Sequence, residues 1–131
     1  MIRAFLLSLL LAAFAWGIPI TEDPSFKSIF AQKQNADRTV LMMYTAQTCP
    51  QCAYMKQKVF KAPEVKEYLD KHFVVLEKDV NRDDLPEGFD YFGIPTIFFV
   101  DRNGVQIGTF IGSARAEPFL ETLRGIVKES E

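Results

Sequence analysis

The sequence predicts an α/β fold with a mixed central sheet of 4–5 strands flanked by helices on both faces. Three observations carry this. Two nearly continuous apolar runs, Thr39-Val40-Leu41-Met42-Met43-Tyr44-Thr45 and Ile97-Phe98-Phe99-Val100, suit strands covered on both faces. Segments with apolar residues at helical spacing alternate with the runs. Asn103-Gly104, just after the second run, is a strong hairpin signal and adds an antiparallel edge.

In chain order, Ile18-Pro19-Ile20 reads as a short edge strand, where Pro is tolerated. Asp23-Pro24 opens a helix, since Asp caps well and Pro suits the first helical position. Phe26, Ile29 and Phe30 give that helix its apolar stripe, which fades near Gln34-Asn35. The run at Thr39–Thr45 follows, then the loop Ala46-Gln47-Thr48. A helix begins at Cys49-Pro50-Gln51-Cys52 and extends to about Phe60. Ala62-Pro63 interrupts it and starts another, through Val65, Tyr68 and Leu69 to His72. Phe73-Val74-Val75-Leu76 is the next strand. Asn81 to Tyr91 is polar and is expected to hold a short helix. Gly93-Ile94-Pro95-Thr96 leads into the run at Ile97, and Val105 to Ile111 returns as the hairpin partner. Gly108 inside that strand signals a bulge or a close backbone approach. The last helix covers about Ala116 to Lys128, with Pro118 in its first turn and Phe119, Leu120, Leu123, Ile126 and Val127 facing inward. Helix-linked strands favour parallel pairing, leaving the hairpin as the antiparallel part.

The bulk numbers set limits. At 131 residues and 48% apolar, the chain makes one domain with a core of its own. A net charge of −2, from 15 basic and 17 acidic residues, offers no basic face for nucleic acid. The start of the chain reads as a targeting signal. Arg3 is followed by an apolar stretch, and Ala13-Phe14-Ala15 is a small-x-small cleavage site. Residues 1–15 are therefore expected to be a cleaved signal peptide and residues 16–131 the domain. The alternative is a retained membrane anchor, for which the stretch falls short of the ~20 residues that span a bilayer. No Cys follows the stretch to take a lipid. The final Lys128-Glu129-Ser130-Glu131 is not an endoplasmic-reticulum retention signal, which favours a bacterial envelope.

Export sharpens the reading of the two cysteines. A disulfide persists in an oxidising compartment unless something reduces it. A bridge between Cys49 and Cys52 closes too short a loop to remove much chain entropy, so it is a poor staple. The pair points to chemistry. The thiolate is the nucleophile, and a helix N-terminus favours negative charge through its free N–H groups and dipole. Cys49 occupies that position as the nucleophile, with Pro50 in the first turn and Cys52 one turn on as the resolving thiol. Cys49 attacks a partner disulfide, and Cys52 then attacks Cys49 to release the partner reduced; the reverse order oxidises a partner. A structural zinc site needs four ligands, and the chain has two Cys and one His, so no metal is expected. No nucleotide loop or flavin fingerprint appears, so no cofactor is expected.

These residues resemble the thioredoxin superfamily. The resemblance runs from about Asp23 to Lys128. It rests on the strand before Cys49-Pro50-Gln51-Cys52, on Gly93-Ile94-Pro95-Thr96 some forty residues later, and on the closing hairpin, Gly112 and amphipathic helix. The fold class implied is the thioredoxin fold. The family's proline before the third strand is cis, so the resemblance implies a cis Pro95, where spacing alone allows an ordinary strand-start proline. It also implies that Ile94 pairs its backbone with substrate. Cys49-Pro50-Gln51-Cys52-Ala53-Tyr54-Met55, Val59-Phe60 and Pro63-Glu64-Val65 are similar to the bacterial periplasmic thioredoxin-related proteins, including the SoxW type and the C-terminal domain of DsbD.

Such proteins mostly reduce disulfides outside the cytoplasm. The implied partners are a disulfide-containing protein substrate and a membrane thiol–disulfide electron donor, with the protein a monomer. The sequence departs from cytoplasmic thioredoxin at several places. Pro50-Gln51 stands between the cysteines, and neutral Gln51 lacks the charge of the His found in the oxidant DsbA. Met43 replaces a buried Asp, and Thr48 replaces a Trp. Glu77 is either a substitute for the missing base or a solvated strand-end charge. The sequence thus predicts an exported thiol–disulfide oxidoreductase acting as a reductant. An oxidant or isomerase, or a redox-gated binding protein without turnover, are the alternatives.

Overall fold

The computed structural model describes residues 17–131; the expected signal segment lies outside them. Among the described residues are four strands and four α-helices: α1 (Pro24–Ala31), β1 (Thr39–Thr45), α2 (Pro50–Tyr54), α3 (Pro63–His72), β2 (Phe73–Asp79), β3 (Thr96–Val100), β4 (Gln106–Ile111) and α4 (Ala116–Ser130). The sheet order is β2-β1-β3-β4. β1 and β2 are parallel, while β3 is antiparallel to both β1 and β4.

The register decides where the chemistry sits. Thr45 pairs with Asp79, and Tyr44 pairs with Thr96. β1 and β2 therefore finish at the end of the sheet where β3 begins. The link from β2 to β3 has no helix to carry it back, so β3 runs opposite to β1. Parallel pairing extends only to the strands joined through α2 and α3.

Two further expectations are corrected. Ile18-Pro19-Ile20 is not a strand: Pro19 makes one isolated bridge to Glu87, and Ile20–Glu22 is a 3₁₀ turn. Asn81 to Tyr91 contains no helix. Its polar side chains bond the local backbone instead. Asp83 accepts from the Asp79 N–H at 2.6 Å, and Asp79 accepts from the Asn81 N–H at 2.9 Å. Such bonds compete with a helical ladder, and Pro86 and a positive φ at Gly88 (85°) finish the segment as loop.

Alternation along β1 splits the core in two. Leu41 and Met43 face Cys52, Met55, Val59, Val65, Leu69 and the buried side of α4. Val40, Met42 and Tyr44 face Ile20, Phe26, Phe89 and Phe98 beneath α1. Asp23 caps α1 through its side chain, accepting from the Ser25 N–H at 2.8 Å and the Phe26 N–H at 3.4 Å. Near the helix's far end the Ile29 carbonyl accepts both the Gln32 N–H at 3.3 Å and the Asn35 side-chain amide at 2.9 Å.

Gly108 lies beside the bulge its position signalled, and side chains, not another backbone, crowd it. The β3–β4 register shifts beside Phe99/Val100, and a Cβ on Gly108 would lie 2.4 Å from Ile126 Cδ1. Gly108→Ala is expected to cost about 1–3 kcal/mol through overpacking. Ile126→Val removes that δ-methyl, so the same glycine substitution costs less in its background. A chemical-denaturation cycle of the two changes checks the coupling.

Candidate active site

β1 delivers the chain to the end of the sheet, and Ala46–Thr48 turns it into α2. Cys49 is the N-cap of α2 in extended conformation (φ −107°, ψ 103°), with Pro50 at the first helical position. The Cys49 sulfur accepts the Cys52 N–H at 3.1 Å, as a capping side chain does. Cys49 and Cys52 are joined by a disulfide, with Cα atoms 5.2 Å apart. Cys49 is half-buried, whereas Cys52 is fully buried among Met43, Met55 and the core side of α4. One sulfur can meet a partner while the other waits behind it. In the reduced form the free N–H groups of α2 favour a thiolate at Cys49.

After Tyr54 the helix loosens into a π-helical turn, Met55–Val59, closed by Phe60 N–H donating to the Met55 carbonyl at 2.8 Å. The wider turn places Met55 and Val59 in the core. The Met55 sulfur accepts the Ala114 N–H at 3.5 Å, tying the loop after β4 to the helix that carries the cysteines.

Across from α2, the Ile94–Pro95 peptide bond is cis and Pro95 is buried. The Pro95 carbonyl accepts the Gly112 N–H at 2.8 Å, and the Thr96 hydroxyl donates to the Gly93 carbonyl at 2.6 Å. The Ile94 N–H and C=O make no hydrogen bond among the described residues. Ile94 is half-buried, and an unpaired backbone N–H and C=O can bond to an added strand.

Gln51 is exposed on the first turn of α2. Met43 is fully buried against Cys52's side of the sheet, and its register partner is Glu77. The Glu77 side chain is 49% exposed, with a carboxylate oxygen 3.7 Å from Lys56 Nζ. That position suits a solvated strand-end charge better than a buried base. Gln47 accepts from Arg82 at 3.1 Å, joining the loop before Cys49 to the link after β2. Among the described residues no group of three His, Cys, Asp or Glu side chains could hold a metal, and no helix is long and apolar enough to cross a membrane.

The thioredoxin-like domain model matches residues 26–126. The chain belongs to the thioredoxin-like domain family. Among solved structures, a thioredoxin from Thermus thermophilus is 27% identical, with 86% of this chain and 87% of that chain covered and a TM-score of 0.64. The reduced C-terminal domain of DsbD from Neisseria meningitidis is 24% identical, with 77% and 93% covered and a TM-score of 0.61. The periplasmic thioredoxin SoxS from Paracoccus pantotrophus is 18% identical, with 72% and 100% covered and a TM-score of 0.56. At those identities the last two speak for the fold. No curated protein sequence matches the chain. The redox pair at the head of α2, on this fold, makes the protein a thiol–disulfide oxidoreductase.

Sequence reasoning put Cys49 and Cys52 at the head of a helix, where the structure has them, but did not anticipate two groups. One is a buried ion pair: Lys78 Nζ lies 2.7 Å from Asp23 Oδ2. The other is Phe92, whose side chain lies wholly in solvent. An aromatic residue two places before Ile94 in a loop was the available signal for the second.

Proposed function

We propose that the protein is exported and reduces protein disulfides, drawing its own electrons from a membrane thiol–disulfide donor and working as a monomer. The observation that carries the exchange chemistry is the pairing of a reachable Cys49 with a fully buried Cys52 one helical turn behind it. The Cys49 thiolate attacks one sulfur of the partner disulfide. The partner S–S bond breaks, and the departing thiolate takes a proton. Cys52 loses its proton and attacks Cys49, the mixed disulfide breaks, and the second partner sulfur leaves as a thiol. Two electrons pass to the partner, and the protein is left with the Cys49–Cys52 disulfide.

Pro50 and Gln51 tune the pair, and Ile94 with Pro95 receives the partner's backbone. Two features favour reduction over oxidation. Ile94 precedes Pro95 as in thioredoxin, and Gln51 brings no positive charge to hold Cys49 ionised. The apolar run ending at Ala15, with the likeness to the DsbD domain and the periplasmic SoxS, favours export to the periplasm. Direction depends on potential, where ~30 mV is ~1.4 kcal/mol for this two-electron couple. Equilibration with glutathione is expected to give a value nearer thioredoxin's roughly −270 mV than DsbA's roughly −120 mV. A value at the oxidant end overturns the reductant reading.

A further inference from the structure

Three aromatic side chains crowd the loop before Pro95, and they separate by direction. Phe89 is buried and meets Phe98 edge-on, with ring centroids 5.4 Å apart. Tyr91 meets Tyr44 edge-on at 5.3 Å. Phe92 is left outside, with a relative exposure of 103%. A lone exposed apolar side chain is ordinary. The surroundings of Phe92 are not.

Gly93 follows it, and Gly112 bonds to the Pro95 carbonyl. A Cβ on either glycine would meet nothing within 4 Å. Next to Gly112 in the chain, Ile111 is 65% exposed and pairs with Thr96 at the start of β3. The two glycines thus form an open backbone shelf beside Pro95, flanked in sequence by Phe92 and Ile111. Residues 91–95 and 110–114 contain no charged side chain, in a chain that is 24% charged. The unpaired Ile94 N–H and C=O lie along the same shelf.

We propose that Phe92, with Ile111 across the Gly93–Gly112 shelf, is a specificity-determining residue that selects disulfides in extended protein segments carrying an apolar residue beside the cysteine. This rests on the exchange chemistry proposed above. An extended backbone satisfies the Ile94 groups, and the glycines leave room for it. The segment's apolar side chain then covers Phe92, removing apolar surface from water. A small or charged disulfide gains nothing from either feature.

The test uses the pre-reduced protein in single-turnover quenched flow with three disulfides. One is a peptide with Leu next to its cysteine, the second the same peptide with Glu there, and the third bis(2-hydroxyethyl) disulfide. The parent is expected to favour the Leu peptide over the Glu peptide. Phe92→Ala lowers the Leu-peptide rate constant about tenfold, a difference of about 1.4 kcal/mol. It leaves the other two within about twofold. Val105, 55% exposed at the far hairpin end, serves as control: Val105→Ala changes none of the three. Phe92 buries nothing, so Phe92→Ala keeps the parent's melting temperature. If Phe92→Ala slows all three equally, or slows none, Phe92 has no part in selection. A parent that reacts with none of the three removes the exchange reading itself.

Discussion

Cys49→Ser is expected to bring insulin reduction down to the background set by the chemical reductant alone, while Cys52→Ser accumulates a covalent adduct with the substrate. The two outcomes differ because the two sulfurs are placed differently. Cys49 is the half-buried N-cap of α2 and is the sulfur a partner can reach. A serine hydroxyl there still caps the helix, so the loss belongs to chemistry and not to folding. Cys52 is fully buried beneath it, and its only accessible electrophile is the sulfur of Cys49. Without Cys52 the first attack proceeds and the mixed disulfide has no internal thiol to release it. Mass spectrometry of the quenched reaction reads the adduct. Alkylation of the reduced parent at neutral pH gives an independent check, with Cys49 expected to be modified roughly tenfold faster than Cys52 or more. Equal, slow modification of both would leave the fold standing and remove the exchange mechanism. Binding that survives both serine variants, with no turnover in the parent, would instead support a redox-gated binding protein.

What the sequence made readable follows from where local chemistry suffices. Cys52 follows Cys49 by three positions, and one helical turn brings such residues together whatever the rest of the chain does. The runs at Thr39–Thr45 and Ile97–Val100 read as strands, and β1 and β3 are buried at every position. Asp101 and Gly104 made the hairpin turn, with Asp101 accepting from the Asn103 and Val105 N–H groups. The direction of β3 was not legible, because it depends on where a loop without a helix delivers the chain. The polar link after β2 had a helix's composition but used its carboxylates on its own backbone. Phe92 was invisible for a related reason. Outside helices and strands there is no period to tell an inward aromatic from an outward one, and Phe89, Tyr91 and Phe92 look alike in the sequence. Asp23 was read correctly as a helix cap from its neighbour Pro24, yet the partner of its second oxygen lies 55 residues away.

That second oxygen underlies the largest stability effect expected here. Lys78 and Asp23 have side chains only 8% and 9% exposed, and they meet at 2.7 Å between β2 and the start of α1. The Asp23 carboxylate also accepts two N–H groups of α1. Burial pushes its carboxyl up, but the Lys78 hydrogen bond, the Ser25 N–H, the Lys78 charge and the Phe26 N–H together hold it below its ordinary value of 3.8. Asp23→Ala removes the cap and leaves an ammonium buried without its partner, a loss of about 3–5 kcal/mol by analogy with other broken buried pairs. Adding Lys78→Met to Asp23→Ala removes the stranded charge and recovers part of that loss, because an apolar side chain then occupies the space. The pH dependence has a definite sign. A carboxyl whose folded value is depressed contributes stability that is fully present above its unfolded value, and loses it as the pH falls through the folded value. Urea unfolding of the oxidised parent is therefore expected to weaken below about pH 4, and Asp23→Asn to flatten that part of the profile. Keeping the Cys49–Cys52 bridge intact throughout holds the redox contribution constant. A double-mutant cycle with no coupling between Asp23 and Lys78, or an acid limb unchanged in Asp23→Asn, would mean that α1 is held to the sheet by Ile20, Phe26 and their apolar neighbours alone.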